Sequence, residues 1–267
     1  MNPVRRLAMI PLLCVGLLLA GCAGSGMSTA ERAVEPSSQA ALSSAKTQRA
    51  RAHIELGTAY FQAGNMAVAL EEVRIALSAD RSYAPAYNLS GLIHMYLREN
   101  PVAEENFREG LRLAPGDPEI SNNYGWFLCQ TGREADGIAQ FVSAVKNPLY
   151  ATPELSLTNA GICAMQLGDL AAAEDYLIKA LRLGRNTGGA LLQLGHLNYR
   201  QKRYVDARDY LAKLHAQVEP TAESLWLAIR VERAAGDRRA EAGFISQLRR
   251  RFPDSKEARE SRQGVGG

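Results

Sequence analysis

The chain has little net charge and few aromatic side chains. Its 267 residues include 31 Lys and Arg against 28 Asp and Glu, for a formal charge of +3. Without Arg5 and Arg6, which lie in a segment that we expect to be removed, the balance is 29 against 28. So small a charge argues against a protein that binds nucleic acid by bulk electrostatics. Aromatics make up only 7%, but hydrophobic residues make up 46%, so the chain can bury a core.

The sequence also lacks the patterns that are typical of a catalytic or metal site. Its four histidines are not at ligand spacing from one another, and no cluster of cysteines or carboxylates surrounds any of them. The GxSxG, P-loop and dinucleotide-binding patterns are missing. We therefore predict no enzyme activity, no cofactor, no metal and no small-molecule substrate.

Long apolar runs are missing as well, apart from one near the N-terminus. The first six residues carry two arginines and no acid, and residues 7–20 are apolar except for Pro11 and Gly16. As a helix this run would measure about 21 Å, which is too short for a hydrocarbon core of about 30 Å. A basic start followed by a short apolar run predicts a secretory signal peptide.

The end of this segment, Leu-Ala-Gly-Cys at residues 19–22, resembles a bacterial lipobox. The resemblance implies that residues 1–21 are cleaved off and that Cys22 carries the lipid, diacylglycerol with palmitate-type acyl chains. An ordinary signal peptide followed by a chance cysteine is the alternative. Because Ala23 rather than aspartate follows the cysteine, the resemblance implies sorting to the outer membrane, on its periplasmic face. Residues 22–46 are small and polar, and we expect a flexible tether with a reach of about 26 Å.

The rest of the chain repeats itself. Small residues recur at intervals of 34, 34, 36 and 34 residues, at Gly57, Gly91, Gly125, Gly161 and Gly195. Twelve residues after each comes a second small residue, at Ala69, Ala103, Gly137, Ala173 and Ala207. Glycine inside a helix costs about 1 kcal/mol relative to alanine, so its recurrence indicates a close approach of two helices in every unit.

This pattern resembles the tetratricopeptide repeat, a helix–turn–helix unit of 34 residues. The resemblance implies an all-α solenoid over residues 47–255, with six repeats in a right-handed superhelix. A polar C-terminal tail, residues 256–267, would follow, either as a short, very polar helix or as a frayed segment. The repeats lie near residues 50–83, 84–117, 118–151, 154–187, 188–221 and 222–255. In the sixth repeat the pattern loses one residue of phase.

Two cysteines of the mature chain, Cys129 and Cys163, lie on the first helices of consecutive repeats. Consecutive first helices are neighbours in such an array, and an exported protein meets an oxidising compartment. We therefore predict a disulfide between them. Two buried free thiols are the alternative.

In tetratricopeptide proteins, side chains of the first helices line a concave groove that binds protein partners. Several of the matching positions here are apolar or aromatic, as binding patches often are. The alternative for each is packing between helices. The candidates for the partner-binding groove are Ile54, Phe61, Leu92, Met95, Tyr96, Trp126, Met165 and Tyr199.

A lipobox, a short tether and six such repeats together resemble the PilF/PilW lipoproteins of type IV pilus biogenesis. Strings such as NNYGWFLCQTG and LWLAIRVERAAGDRRAEAGFISQLRRRFPDS carry the resemblance. It implies a pilotin, a scaffold that binds the pilus secretin protein and promotes its outer-membrane localisation and multimerisation, and so pilus (fimbrium) assembly and twitching motility. We expect it to act as a monomer. The alternative is a tetratricopeptide lipoprotein that serves as an adaptor for peptidoglycan enzymes or outer-membrane protein assembly.

Overall fold

The structure is a computed structural model that describes residues 38–184 and 186–263. These residues form thirteen α-helices and no β-strand. The described residues from Leu42 to Gln263 belong to one compact unit. The helices are α1 Ser38–Gln62, α2 Met66–Ala79, α3 Ala84–Tyr96, α4 Asn100–Leu113, α5 Pro118–Gln130, α6 Glu134–Val145, α7 Pro153–Leu167, α8 Leu170–Arg182, α9 Gly188–Arg200, α10 Tyr204–Gln217, α11 Ala222–Ala235, α12 Arg238–Arg251 and α13 Lys256–Gln263.

The first twelve helices pair into six antiparallel units, and each turn is encoded locally. Gly64, Gly132, Gly168 and Gly236 end first helices with φ between 78° and 87°, a left-handed conformation that glycine adopts without strain. Arg98 and Lys202 take the same conformation in the second and fifth units, although both carry a Cβ. In three units the next residue is an Asn or Asp whose side chain accepts a hydrogen bond from the new helix, at Asn65, Asp169 and Asp237.

The recurring glycines lie where the two helices of a unit come close together. A Cβ added at Gly91 would meet the ring of Phe107 at 2.7 Å, and one at Gly161 would meet Leu177 at 2.6 Å. At Gly125 the nearest atom would be the backbone oxygen of Gly137, 2.9 Å away. The repeated helix–helix contact that the glycine spacing predicted is therefore present, and the all-α tetratricopeptide solenoid is confirmed.

The contacts between units give the array its curvature. From α3 to α11, each first helix contacts the first helix of the next unit, whereas the second helices of neighbouring units make no such contact in the described residues. Because first helices are closer together, they form the inner, concave side of the superhelix. The candidate groove residues all lie on this set of helices.

The predicted end of the tether is wrong. The predicted tether reached residue 46, but α1 already begins at Ser38. The segment from Ser38 contains Gln, Ala, Leu and Lys, which favour a helix once it is continuous with the first repeat. Cys22 and the rest of residues 1–37 lie outside the described residues.

Of the two alternatives for the C-terminal segment, the structure shows the short helix. Helix α13 packs on α11 and α12, and Ala258 is completely buried there. The side chain of Ser255 accepts a hydrogen bond from the Ala258 amide at 3.0 Å, which starts the helix. Arg249 donates to the Ser261 backbone oxygen at 2.7 Å. The segment is therefore held against the sixth unit.

Candidate functional site

A pocket of about 370 Å³ lies on the concave side, between α1, α3 and the start of α5. Three of the predicted groove residues, Ile54, Phe61 and Leu92, line it. Ile54 is only 7% exposed, so it forms the floor and also packs in the core. We call this the N-terminal pocket; its other lining residues are Thr58, Gln62, Pro85, Asn88, Leu89, Asp117, Glu119 and Ile120.

Tyr96 extends the apolar surface of this pocket into solvent. Tyr96 is 65% exposed. Among the other large apolar residues of α1 to α5, the largest exposure is much lower, 45% at Leu56. The Tyr96 ring meets the edge of Phe61 with centroids 6.3 Å apart. An aromatic ring held in this way offers contact area at little entropic cost.

Met95 and Trp126 lie at a second pocket of about 420 Å³. Polar side chains, including those of Arg98 and Gln130, complete its lining. Trp126 is half-buried and packs on the cluster that contains Phe141. Trp126 therefore lines a pocket and also packs on the core, whereas Tyr96 belongs to none of the core clusters.

Met165 is the groove candidate that the structure contradicts. Its side chain is only 6% exposed and belongs to the core cluster of α7, α8 and α9 with Leu177 and Leu194. A flexible thioether fills irregular space well, which suits the crowded contact between neighbouring units. Met165 reaches the groove only through its backbone oxygen, which accepts a hydrogen bond from Arg200 at 3.1 Å.

Tyr199 lies on the concave side in a different environment. The guanidinium carbon of Arg230 is 4.5 Å from the centre of its ring, a cation–π contact. On the other side, the Tyr204 ring lies 6.0 Å away. Arg230 was not among the predicted groove residues. The repeat pattern is out of register in the sixth unit, so the groove positions of that unit could not be assigned from the sequence.

Carboxylates border the N-terminal pocket. The side chain of Asp117 accepts a hydrogen bond from the Ile120 amide at 3.0 Å and starts α5. Burial raises the pKa of Glu119, and the nearby charge of Asp117 adds to the effect. In the described residues Glu119 has no basic partner within ion-pair distance. The signal for this acidic border was the Asp-Pro-Glu that opens the third repeat.

A chain of polar side chains connects α3, α5 and α7 beneath the groove. Asn123 donates to Asn88 at 3.1 Å. The Asn122 side-chain oxygen, almost fully buried, accepts from Ser156 at 2.8 Å and from Asn159 at 3.1 Å. Satisfied buried amides fix the spacing of successive helices. The groove is therefore a largely preformed surface.

The predicted cysteine pair lies within this scaffold. The structure joins Cys129 on α5 to Cys163 on α7, with their Cα atoms 5.8 Å apart, a normal separation for a disulfide. The bridge connects the first helices of the third and fourth units, directly under Trp126.

In the described residues, no group of three or more His, Cys, Asp or Glu side chains could hold a metal ion. No helix in this part of the chain is long and apolar enough to cross a membrane.

The comparison with known families agrees with the geometry. Residues 35–85, 88–151 and 158–219 match the tetratricopeptide repeat. The chain is thus a tetratricopeptide-repeat protein, a class whose solenoids mediate protein–protein interaction.

Individual relatives show which family within this class the chain belongs to. The chain is 32% identical over 260 residues to the type IV pilus assembly protein PilF of Pseudomonas aeruginosa, covering 96% of this chain and 97% of PilF. A crystal structure of PilW, a widely conserved type IV pilus biogenesis factor, matches with a TM-score of 0.73 at 31% identity, over 79% of this chain and 96% of PilW. A structure of Pseudomonas aeruginosa PilF matches with a TM-score of 0.71 at 30% identity, over 83% of this chain and all of that one. The chain belongs to the PilF/PilW family of type IV pilus biogenesis proteins.

Proposed function

We propose that the chain is a pilotin: an outer-membrane lipoprotein that binds the type IV pilus secretin and promotes its localisation and multimerisation. It acts as a scaffold and not as a catalyst. The observation that carries the proposal is the N-terminal pocket with the exposed ring of Tyr96 beside it. An apolar cavity on a rigid concave surface suits an apolar segment of a protein partner.

The test is a blot for secretin multimers in cells that lack the chain and in cells that carry Phe61→Ala. Phe61 lines the pocket, so its truncation should reduce the multimers and surface pili. Val205→Ala is the matched control, because Val205 is 69% exposed on α10, a second helix outside the groove. Melting curves of both variants separate lost binding from lost folding. Normal secretin multimers in the deletion strain, combined with envelope defects, would instead support the adaptor alternative.

The lipid anchor has a separate role in this proposal: it delivers the scaffold to the outer membrane. Cys22→Ser should abolish lipidation and leave the chain soluble or as an uncleaved precursor. The array should still fold, because its core begins with Ala50 and Ile54, well beyond Cys22. We expect few secretin multimers, or multimers in the wrong membrane. Normal outer-membrane multimers at native expression would reject the delivery role and leave secretin binding intact.

A further inference from the structure

The concave side changes its chemistry along the array. At the N-terminal pocket, carboxylates of Asp117 and Glu119 border an apolar cavity. In the fifth and sixth units, the same side presents two arginines, Arg200 on α9 and Arg230 on α11. We call the surface formed by Tyr199, Arg200 and Arg230 the basic groove.

Arg230 is oriented by an aromatic ring and not by a carboxylate. Its guanidinium stacks over Tyr199 at 4.5 Å. Among the described residues it has no hydrogen-bond or ion-pair partner. A guanidinium has five N–H donors, and stacking of its face leaves them pointing outward at its edge. Arg230 is therefore preorganised to donate to an incoming group.

Arg200 is held in a similar way. One of its nitrogens donates to the Met165 backbone oxygen at the end of α7, and its other donors are unused among the described residues. Arginines elsewhere between units are neutralised: Arg133 lies 2.6 Å from Glu104, and Arg203 lies 2.8 Å from Glu174. The two arginines of the basic groove lack such a carboxylate.

His196 and Glu223, which lie nearby, do not neutralise the positive charge of Arg200 and Arg230. Burial lowers the pKa of His196, Glu223 partly offsets this effect, and the positive charge of Arg230 lowers the pKa further. Glu223 lies 3.3 Å from that imidazole and makes no ion pair with either arginine. Trp226, one turn before Arg230 on α11, adds a half-buried aromatic side chain. The surface thus combines two cations with aromatic rings.

We propose that the basic groove binds carboxylate side chains of an acidic segment in the protein partner, by bidentate arginine–carboxylate hydrogen bonds. This inference rests on the proposed binding of the secretin and specifies how the secretin lies in the groove. Its apolar part enters the N-terminal pocket, and its acidic part crosses α9 and α11. Charge complementarity sets this direction, because the reverse placement would bring acidic side chains against Asp117 and Glu119.

A protein segment fits this surface better than anionic lipid. The arginines lie on the first helices, which form the inner side of a curved array. A planar membrane meets the outer side or an edge of such an array, whereas an extended chain can follow its inner side. Both surfaces lie on first helices of the same array, so one extended segment can contact both.

The test measures the affinity of the full-length lipoprotein in detergent for the purified periplasmic region of the secretin. The paired substitution Arg200→Glu with Arg230→Glu should weaken binding at least tenfold. The control is Arg239→Glu with Arg250→Glu, which makes the same charge change at two exposed positions of α12 and should alter the affinity less than twofold. The affinity of wild type should fall as the salt concentration is raised from about 50 to about 300 mM, because salt shortens the Debye length and screens the attraction between the charges. The affinity of the paired variant should lose this salt dependence.

Arg200→Gln with Arg230→Gln is the second variant if the charge reversal perturbs folding, because it removes both positive charges and keeps a hydrogen-bond donor on a shorter, neutral side chain. Equal affinities of the paired variants and the control would overturn the basic groove while leaving the proposed function in place. No binding of wild-type protein to the secretin would reject the proposed function, and this inference with it.

Discussion

Arg133 Nη1 at the turn of the third unit lies 2.6 Å from Glu104 Oε1 on the second helix of the unit before it. The same relationship recurs one unit after the disulfide, where Arg203 lies 2.8 Å from Glu174. These pairs connect second helices whose backbones do not come close together in the described residues. They add polar contacts between successive units.

This pairing predicts an acid-sensitive contribution to stability. Burial alone would raise the pKa of Glu104, but hydrogen bonds from Arg133 and Tyr124 and the positive charge of Arg108 together lower it. A carboxyl with a lowered folded-state pKa stabilises the fold at pH values above its usual value of about 4.3. The contribution is then lost as the pH falls through the folded-state pKa.

Glu104→Gln should therefore lower the free energy of unfolding by about 1 kcal/mol at pH 7. The difference from wild type should shrink as the pH is lowered below about 4. Urea unfolding at several pH values measures both effects. Glu105→Gln is the control, since Glu105 is exposed on the same helix. A Glu104→Gln deficit that persists unchanged at pH 3 would contradict the assignment.

The helix contacts predict opposite effects of one substitution at two glycines. Gly91→Ala would place a methyl group 2.7 Å from the fully buried ring of Phe107, and overpacking of this kind costs about 1–3 kcal/mol. Gly243 lies in α12 with no atom within 4 Å of an added Cβ. Gly243→Ala should stabilise the chain by about 0.5–1 kcal/mol through helix propensity. Denaturant unfolding of the two variants should move in opposite directions; the same sign for both would refute this account.

The small-residue spacing was enough to predict the fold because it reports backbone contact, which only glycine or alanine permits. Prediction was weaker wherever a side chain could serve two purposes. Met165 is of a residue type that is common in binding grooves, but its side chain fills the core between α7 and α9. Among residues 256–262 of α13, Ala258 and Ser261 are the buried ones, a signal too narrow to decide between a helix and a frayed tail. Arg230 could not be placed because the register of its repeat is irregular.

The disulfide should matter for the middle of the array. Cys129→Ala with Cys163→Ala removes a bridge across 34 residues, for which chain entropy alone gives a loss of about 3–4 kcal/mol. Mass spectrometry of non-reduced tryptic peptides should find the two cysteines linked. Reducing agent should lower the melting temperature of wild type and leave that of the double variant unchanged. Alkylation of both thiols without prior reduction would show that the bridge does not form.

The groove predicts that binding and stability can be separated at two aromatic residues. Tyr96→Ala removes a ring that is 65% exposed, so the melting temperature should stay within about 2 °C of wild type. Because exposed aromatics at the centre of an interface contribute about 2 kcal/mol or more, secretin capture should fall at least tenfold. Trp126→Ala should behave differently, since its ring packs on Phe141 and the cysteine pair. We expect a loss of about 2 kcal/mol in stability there, less than for a fully buried aromatic.

The control for both variants is Leu149→Ala, because Leu149 is 89% exposed in the loop before α7, outside the groove. It removes apolar surface without touching the N-terminal pocket and should leave capture and melting unchanged. Thermal unfolding followed by circular dichroism, with secretin capture on the same preparations, gives both readouts. If Tyr96→Ala keeps full capture while Trp126→Ala loses it in proportion to unfolding, these residues stabilise the array only, and the partner surface must be sought on the outer helices.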